Sequence, residues 1–178
     1  GANPLFMLGD LTPNLIELLP AALIAGPIFG LLAVLFMLSL RRSATFAGGT
    51  GWSPARLLFT AAILTGCVGM FVPEVLGLGS GTVAATLNGA FDEIYLLILL
   101  FLKLTVTALC IGFGMFGGIF SPAMFVGVTA GAFVGRLLAL VGLSVTGPGL
   151  AICGMASVAA AVIGAPVAGV LIILEMTM

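Results

Sequence analysis

The chain has 178 residues, of which 62% are hydrophobic and only 6% are charged, and its formal net charge is −1. Soluble domains carry about a quarter of charged residues because their surfaces face water, so a mean hydropathy of +1.39 excludes a soluble domain and indicates an integral, multi-pass membrane protein. The near-zero net charge favours no nucleic-acid partner. With no histidine and three scattered cysteines, we expect no metal site, no cofactor and no enzymatic activity.

Long apolar segments predict helices within a single transmembrane region, residues 1–178, and these helices span residues 14–40, 54–71, 91–111, 123–141, 149–162 and 166–178. Pro20 and Pro27 interrupt the first segment, so we expect that helix to be kinked or tilted. It is predicted to end at Arg41-Arg42, ahead of a glycine-rich loop. Three of the five basic residues lie around this loop, and the positive-inside rule therefore places it on the cytoplasmic side.

Residues 72–90 are too polar and too short to span a bilayer, and they predict a re-entrant or loop segment that contains Pro73 and Glu74. Asp92 and Glu93 open the next helix, where carboxylates suit the positive end of the helix dipole. A turn is predicted at residues 143–149. The unequal segments favour an all-α fold of tilted and broken helices over a simple up-and-down bundle.

Small residues recur every four positions along the later helices. The first series is Ala123, Gly127, Gly131, Gly135 and Ala139, and a second series is Ala160, Gly164 and Ala168. Helices in lipid associate through close backbone approach at small residues, because apolar burial alone hardly drives their contact. We therefore interpret both series as helix-packing surfaces rather than as the lining of a path.

A glycine-rich break at residues 112–122 interrupts the apolar pattern. Irregular backbone at membrane depth is tolerated only when it is buried in protein or lines a wet cavity. Pro122 suits the first turn of the next helix, so the N–H groups before it lie at a helix end that carries about half an elementary charge. Such an end binds anions without a basic side chain. The predicted anion-binding residues are Gly118, Ile119 and Phe120, and the predicted pore-supporting residues are Gly117, Ser121 and Pro122. A hinge or a packing bend explains the glycines equally well.

At residues 118–122, GIFSP, the sequence resembles the GxFxP signature of the CLC chloride channels and chloride/proton antiporters. The preceding residues 102–108 and the later segments 154–156 and 165–177 also look like that family, in the same order. Where relatives have glycine and serine before the signature, this chain has Phe113, Met115 and Phe116, a departure that bears on pore width or wetting.

The resemblance implies the second half of an inverted-repeat transmembrane domain, with the amides of Ile119 and Phe120 helping to coordinate a chloride ion. It also implies a homodimer with one pathway per subunit, in which residues 166–178 lie close to the partner. The first half, with the family's serine and gating-glutamate motifs, is expected to complete the pathway. We therefore expect this chain to be a fragment of a longer membrane protein that transports chloride or similar small anions.

Two alternatives stand beside chloride transport. One is an inverted-repeat secondary transporter for another solute, and the other is a membrane scaffold whose glycines serve packing alone. Lys103 lies within an apolar helix, where a lysine costs on the order of 3 kcal/mol, so it should snorkel or occupy a polar pocket. Glu175 is interpreted as a helix-end or interface carboxylate in preference to a proton relay.

Overall fold

The computed structural model describes residues 15–140, 142 and 148–177, and the regular structure in these ranges is helical throughout. The helices are α1 (Leu15–Gly49), α2 (Pro54–Phe71), α3 (Ser80–Leu87), α4 (Glu93–Gly112), α5 (Phe120–Leu140), α6 (Gly149–Ile163) and α7 (Pro166–Thr177), with a 3₁₀ turn at Pro73–Val75 before α3. Most of the turn predicted at 143–149 lies outside the described residues, as do residues 14, 141 and 178 at the ends of three predicted helices.

Four of these helices are long and apolar enough to cross a membrane, namely α1, α2, α4 and α5. The shorter α6 has 15 residues, which reach about 22 Å at 1.5 Å per residue. A hydrocarbon core is about 30 Å thick, so α6 is an incomplete span of the kind expected from the unequal segments. The prediction of an all-α integral membrane protein is confirmed.

The predicted end of the first helix at residue 40 is wrong. Helix α1 continues through Arg41 and Arg42 to Gly49, a total of 35 residues, or about 52 Å. The hydroxyl of Thr45 donates to the carbonyl of Arg41 inside this extension. The charged pair marks where a helix can leave the hydrocarbon, but arginine is a good helix former, so the charges do not end the helix.

The segment 72–90, which was predicted to be re-entrant or a loop, contains regular helical structure. It contains the 3₁₀ turn and the eight-residue helix α3, and two glycines with positive φ, Gly77 at 62° and Gly79 at 71°, change the chain direction between them. Helix α5 begins at Phe120, three residues before the predicted start, because Ile119 already accepts the first helical hydrogen bond, from the N–H of Ala123 at 3.1 Å.

Helix α5 lies at the centre of the described fold. Within its most apolar window 56% of the residues are buried, compared with 11% for α2. It packs most extensively on α6 and also contacts α1, α3 and α4. Residues 123–131 are all buried, and the ring of Phe125 is fully enclosed. The position of the α5 N-terminus is therefore determined by packing on several sides.

The closest approach between α5 and α6 is made by backbone atoms at glycine positions. A Cβ at Gly127 would lie 2.8 Å from the Cα of Met155 and closer still to the carbonyl of Gly154, and a Cβ at Gly154 would collide with the carbonyl of Gly127. Real Cβ atoms do not approach other atoms so closely. The packing interpretation of the first small-residue series therefore agrees with the contacts of Gly127 and Gly131.

The second series, Ala160, Gly164 and Ala168, is wrong as a continuous packing strip. Gly164 ends α6 with φ of 72°, and both Gly164 and Ala168 are exposed. The residue of α7 that meets Ala160 is Gly169, whose Cβ would lie 2.8 Å from the Cα of Ala160. The break at residue 164 resets the helical phase, so spacing counted across it does not identify the contact.

We expect Gly127→Ala to destabilise the protein by about 1–3 kcal/mol, because the added methyl overpacks a backbone contact. Gly135→Ala is the matched control on the same helix, since its Cβ would lie 3.7 Å from Leu150 Cβ, an ordinary contact. Thermal unfolding of the detergent-solubilised protein measures both. Equal melting temperatures for the two variants would contradict the packing described for α5 and α6.

Candidate functional site

The break between α4 and α5 begins with a tightly bonded reversal of the chain. The N–H groups of Phe113, Gly114 and Met115 donate to carbonyls of the last turn of α4 at 3.0, 3.1 and 2.9 Å. Gly114 has φ of 89°, a conformation that side-chain-bearing residues rarely adopt. The end of α4 is therefore satisfied internally, and the irregular backbone is confined to the residues that follow.

From residue 116 to the start of α5, the backbone N–H groups have no such partners. Within the described part of the chain, no backbone carbonyl accepts a hydrogen bond from Gly118, Ile119 or Phe120. Pro122 lies in the first turn of α5 and has no N–H to satisfy. A helix N-terminus leaves its first N–H groups without intrahelical partners, and here the approach to that end adds further unbonded groups.

Gly117 and Gly118 are not required by the fold. Neither has a positive φ, and a Cβ on either would meet nothing within 4 Å. This contrasts with Gly127, where backbone packing excludes a side chain. The absence of a side chain at these two positions leaves the backbone open to close approach by another group.

A cavity of about 170 Å³ adjoins this backbone. One water occupies about 30 Å³ in the liquid, so the cavity has room for a small ion with some hydration. Three of the six predicted site residues line it: Gly117, Gly118 and Pro122. The side chains of Ile119 and Phe120 are instead half-buried against the main core, and Ser121 donates from Oγ to the carbonyl of Leu78 at 2.6 Å.

Lys103 lies in the same cavity, which the sequence alone did not predict. Its side chain is only 3% exposed, and Nζ donates to the carbonyls of Val75 at 2.7 Å and Gly77 at 2.8 Å. The ammonium also lies 5.0 Å from the centre of the Phe125 ring, close enough for a cation–π contact. The sequence left two possibilities for Lys103. The structure agrees with a side chain that occupies a polar pocket and not with one that snorkels to the membrane surface.

The aromatic residues before the signature have different environments. Phe113 is buried and stacks on Phe46, with ring centroids 6.5 Å apart, and Met115 packs beside it. Phe116 is fully exposed in the described chain. Phe113 and Met115, two of the three residues that differ from the family pattern, therefore anchor the break to α1 and α2.

Charged residues elsewhere do not form a second centre in the described ranges. Arg136 pairs with Glu93 at 3.2 Å and donates to the carbonyl of Gly89, beside a cavity of about 430 Å³ between α3, α5 and α6. Glu175 is exposed on α7. No group of three potential metal ligands occurs among the described residues.

Comparison with known proteins identifies the class. All of residues 1–178 match the family model described as Voltage gated chloride channel, so this chain belongs to the CLC family of membrane proteins, and the resemblance at residues 118–122 is confirmed at the level of the family.

The relatives that it resembles are each named H(+)/Cl(-) exchange transporter ClcA. The Vibrio cholerae protein is 34% identical over 163 residues, which cover 87% of this chain and 34% of the relative. The Salmonella paratyphi B protein is 31% identical over 183 residues, covering 99% of this chain and 39% of the relative, and the Vibrio vulnificus protein shows 30% identity over 185 residues. This chain thus spans 34–39% of the length of these curated relatives.

The break contains Gly114, which has a positive φ, and Gly117, which does not, and substitution of each tests the geometry of the break. We expect Gly114→Ala to destabilise the protein by about 1–3 kcal/mol, because alanine at φ of 89° is strained, whereas Gly117→Ala should change stability by less than about 0.5 kcal/mol. Thermal unfolding in detergent compares the two variants. A Gly114→Ala protein as stable as the parent would show that the reversal after α4 is not formed as described.

Proposed function

We propose that the complete protein transports chloride or a similar small anion across a lipid bilayer, and that the N-terminus of α5 forms part of its anion site. The observation that carries this proposal is the unpaired backbone at residues 118–120, of which Gly118 lines a cavity and has open space where a side chain would lie. The family and the relatives' names support the choice of chloride.

The electrostatics of the cavity favour an anion. No Asp or Glu is among its lining residues, and Lys103, which does line it, forms no ion pair in the described part of the chain. The carbonyls that bind the ammonium carry no net charge, so their dipoles offset its positive charge only in part. Together with the partial charge of the α5 N-terminus, this lysine makes the cavity a region of positive potential.

Neutral N–H donors suit a transport site. An ion must bind well enough to enter and weakly enough to leave, and a direct pair with a lysine in an apolar surrounding would oppose release. Here the two carbonyls hold the ammonium of Lys103, so the amides supply the close contacts while the lysine contributes at longer range.

The remainder of the pathway is proposed to lie outside this sequence. The chain spans 34–39% of its curated relatives, and the family resemblance implies a preceding half that supplies further ion ligands. We also propose a homodimer with α7 near the partner, since Val167 and Leu171 on that helix are 73% and 60% exposed. Transport rather than catalysis is the activity that this arrangement serves.

The first test is anion flux by the complete protein in liposomes. We expect chloride efflux that bromide competes for, because partially charged amides select by charge and size. Proton movement driven by a chloride gradient would assign exchange, the activity in the relatives' names, and chloride movement without protons would assign conductance. Flux of an organic anion or another solute with no effect of chloride would favour the alternative transporter and contradict the proposal.

The second test distinguishes an anion site at the α5 N-terminus from the alternative of a membrane scaffold whose glycines serve packing alone. We expect Gly118→Ala to lower apparent chloride affinity about tenfold, equivalent to about 1.4 kcal/mol, because the methyl group occupies the approach to the amides. Thermal stability should not change, since the added Cβ meets nothing. Gly26→Ala, another glycine with open space around its Cβ, is the control and should leave affinity unaltered. A loss of stability in Gly118→Ala with unchanged affinity would support the scaffold instead.

A further inference from the structure

The turn at residues 75–78, which we call the cavity turn, is held by side chains from two other helices. Lys103 of α4 donates to its first and third carbonyls, those of Val75 and Gly77. Ser121 of α5 donates to its fourth, that of Leu78, at 2.6 Å. Three of the four carbonyls in the cavity turn therefore bind side chains from α4 or α5.

The first two residues of the cavity turn are also held locally, because the N–H groups of Val75 and Leu76 donate to backbone carbonyls at 3.3 and 3.0 Å and the Leu76 side chain lies against Gly69 of α2. The bonds from Lys103 and Ser121 therefore matter most for Gly77 and Leu78. Gly77 has a positive φ, and the side chains of Leu76 and Leu78 are 41% and 73% exposed. Only Val75 is anchored in the core, at 1% exposure. A buried polar group without a partner costs free energy, so removal of Lys103 leaves the buried carbonyl of Val75 unsatisfied. Removal of the Ser121 hydroxyl takes away an exposed bond that restrains Leu78, and either change allows the turn to move.

The cavity turn forms one side of the candidate anion cavity. Val75, Leu76 and Gly77 line it together with Gly117 and Gly118. Ser121 lies in the first turn of α5, three residues after Gly118, so its bond to Leu78 links the cavity turn directly to the helix whose N-terminus carries the amides. Lys103 makes the second link, from α4.

From this arrangement we propose that Lys103 and Ser121 are positioning residues, which hold the cavity turn at a set distance from the α5 N-terminus and thereby determine how tightly the cavity binds an anion. This inference rests on the proposed function. It assigns to Lys103 a geometric role through two carbonyls, in addition to its charge, and it gives Ser121 a role that a purely electrostatic site would not require.

The test uses the complete protein with the variants Lys103→Met, Lys103→Arg, Ser121→Ala and the double variant Lys103→Met/Ser121→Ala. We expect the chloride concentration for half-maximal flux to rise about tenfold in Lys103→Met and about threefold in Ser121→Ala, in line with the loss of a charged and a neutral hydrogen-bond donor. The double variant should resemble Lys103→Met, because both donors act on one turn and their effects are not additive. Lys103→Arg, which keeps the charge but changes the donor geometry, should not restore the affinity of the parent.

Thr105→Val is the control on α4. Its hydroxyl donates to Phe101 within the same helix and does not touch the cavity turn, so it should behave as the parent. A Ser121→Ala protein with parental affinity, together with full function in Lys103→Arg, would show that only the charge matters and would overturn the proposal.

Hydrogen–deuterium exchange of the peptide covering residues 72–80 gives a readout that does not depend on transport. Faster exchange in Lys103→Met and in Ser121→Ala, but not in Thr105→Val, is expected if the two side chains hold the turn, and unchanged exchange would overturn the proposal. If the parent protein transported no halide, the proposed function would fail, while the exchange data would still decide whether these residues position the turn.

Discussion

Backbone polar groups in a hydrocarbon environment have no water to bind, so each must find a partner within the protein. This constraint explains both the long helices and the concentration of unusual contacts where the helices are interrupted. After α2, three of the four carbonyls of the cavity turn accept hydrogen bonds from Lys103 and Ser121. After α4, the backbone reversal is satisfied by the helix end itself. Before α5, the N–H groups of Gly118, Ile119 and Phe120 have no backbone partner within the described chain, and Gly118 lines a cavity.

Close helix packing fixes the position of α5. Because Gly127 and Gly154 bring the α5 and α6 backbones together, α5 cannot shift without breaking contacts along much of its length, and its N-terminus is held in place. A lysine buried beside it, bound only to neutral groups, adds positive charge without occupying the site. Rigid support, neutral donors and a nearby charge are together consistent with the proposed site for a small anion that must also leave.

How far the sequence predicted the fold depends on the range of the interactions involved. Apolar segments and helix breakers act locally, so α2, α6 and the break before α5 lie where the sequence indicated. The predicted end of α1 was wrong because Arg41 and Arg42 mark the edge of the hydrocarbon, whereas continuation of the helix depends on backbone hydrogen bonds. The second small-residue series was wrong because Gly164 changes the helical phase, so that Gly169 rather than Ala168 meets Ala160.

By itself, the sequence determined the membrane class, the helix breaks and the family, because hydropathy, glycine and proline act through solvation and local backbone conformation, and because GIFSP is a contiguous signature. Only the tertiary structure decided which residues share the cavity. It brought Lys103 and residues 75–77 of the turn beside Gly118 and turned Ile119 and Phe120 toward the core. Lys103 and residues 75–77 lie 15 to 43 positions from Gly118 in the sequence. Which of them share a cavity depends on how whole helices pack, and no local pattern encodes that packing.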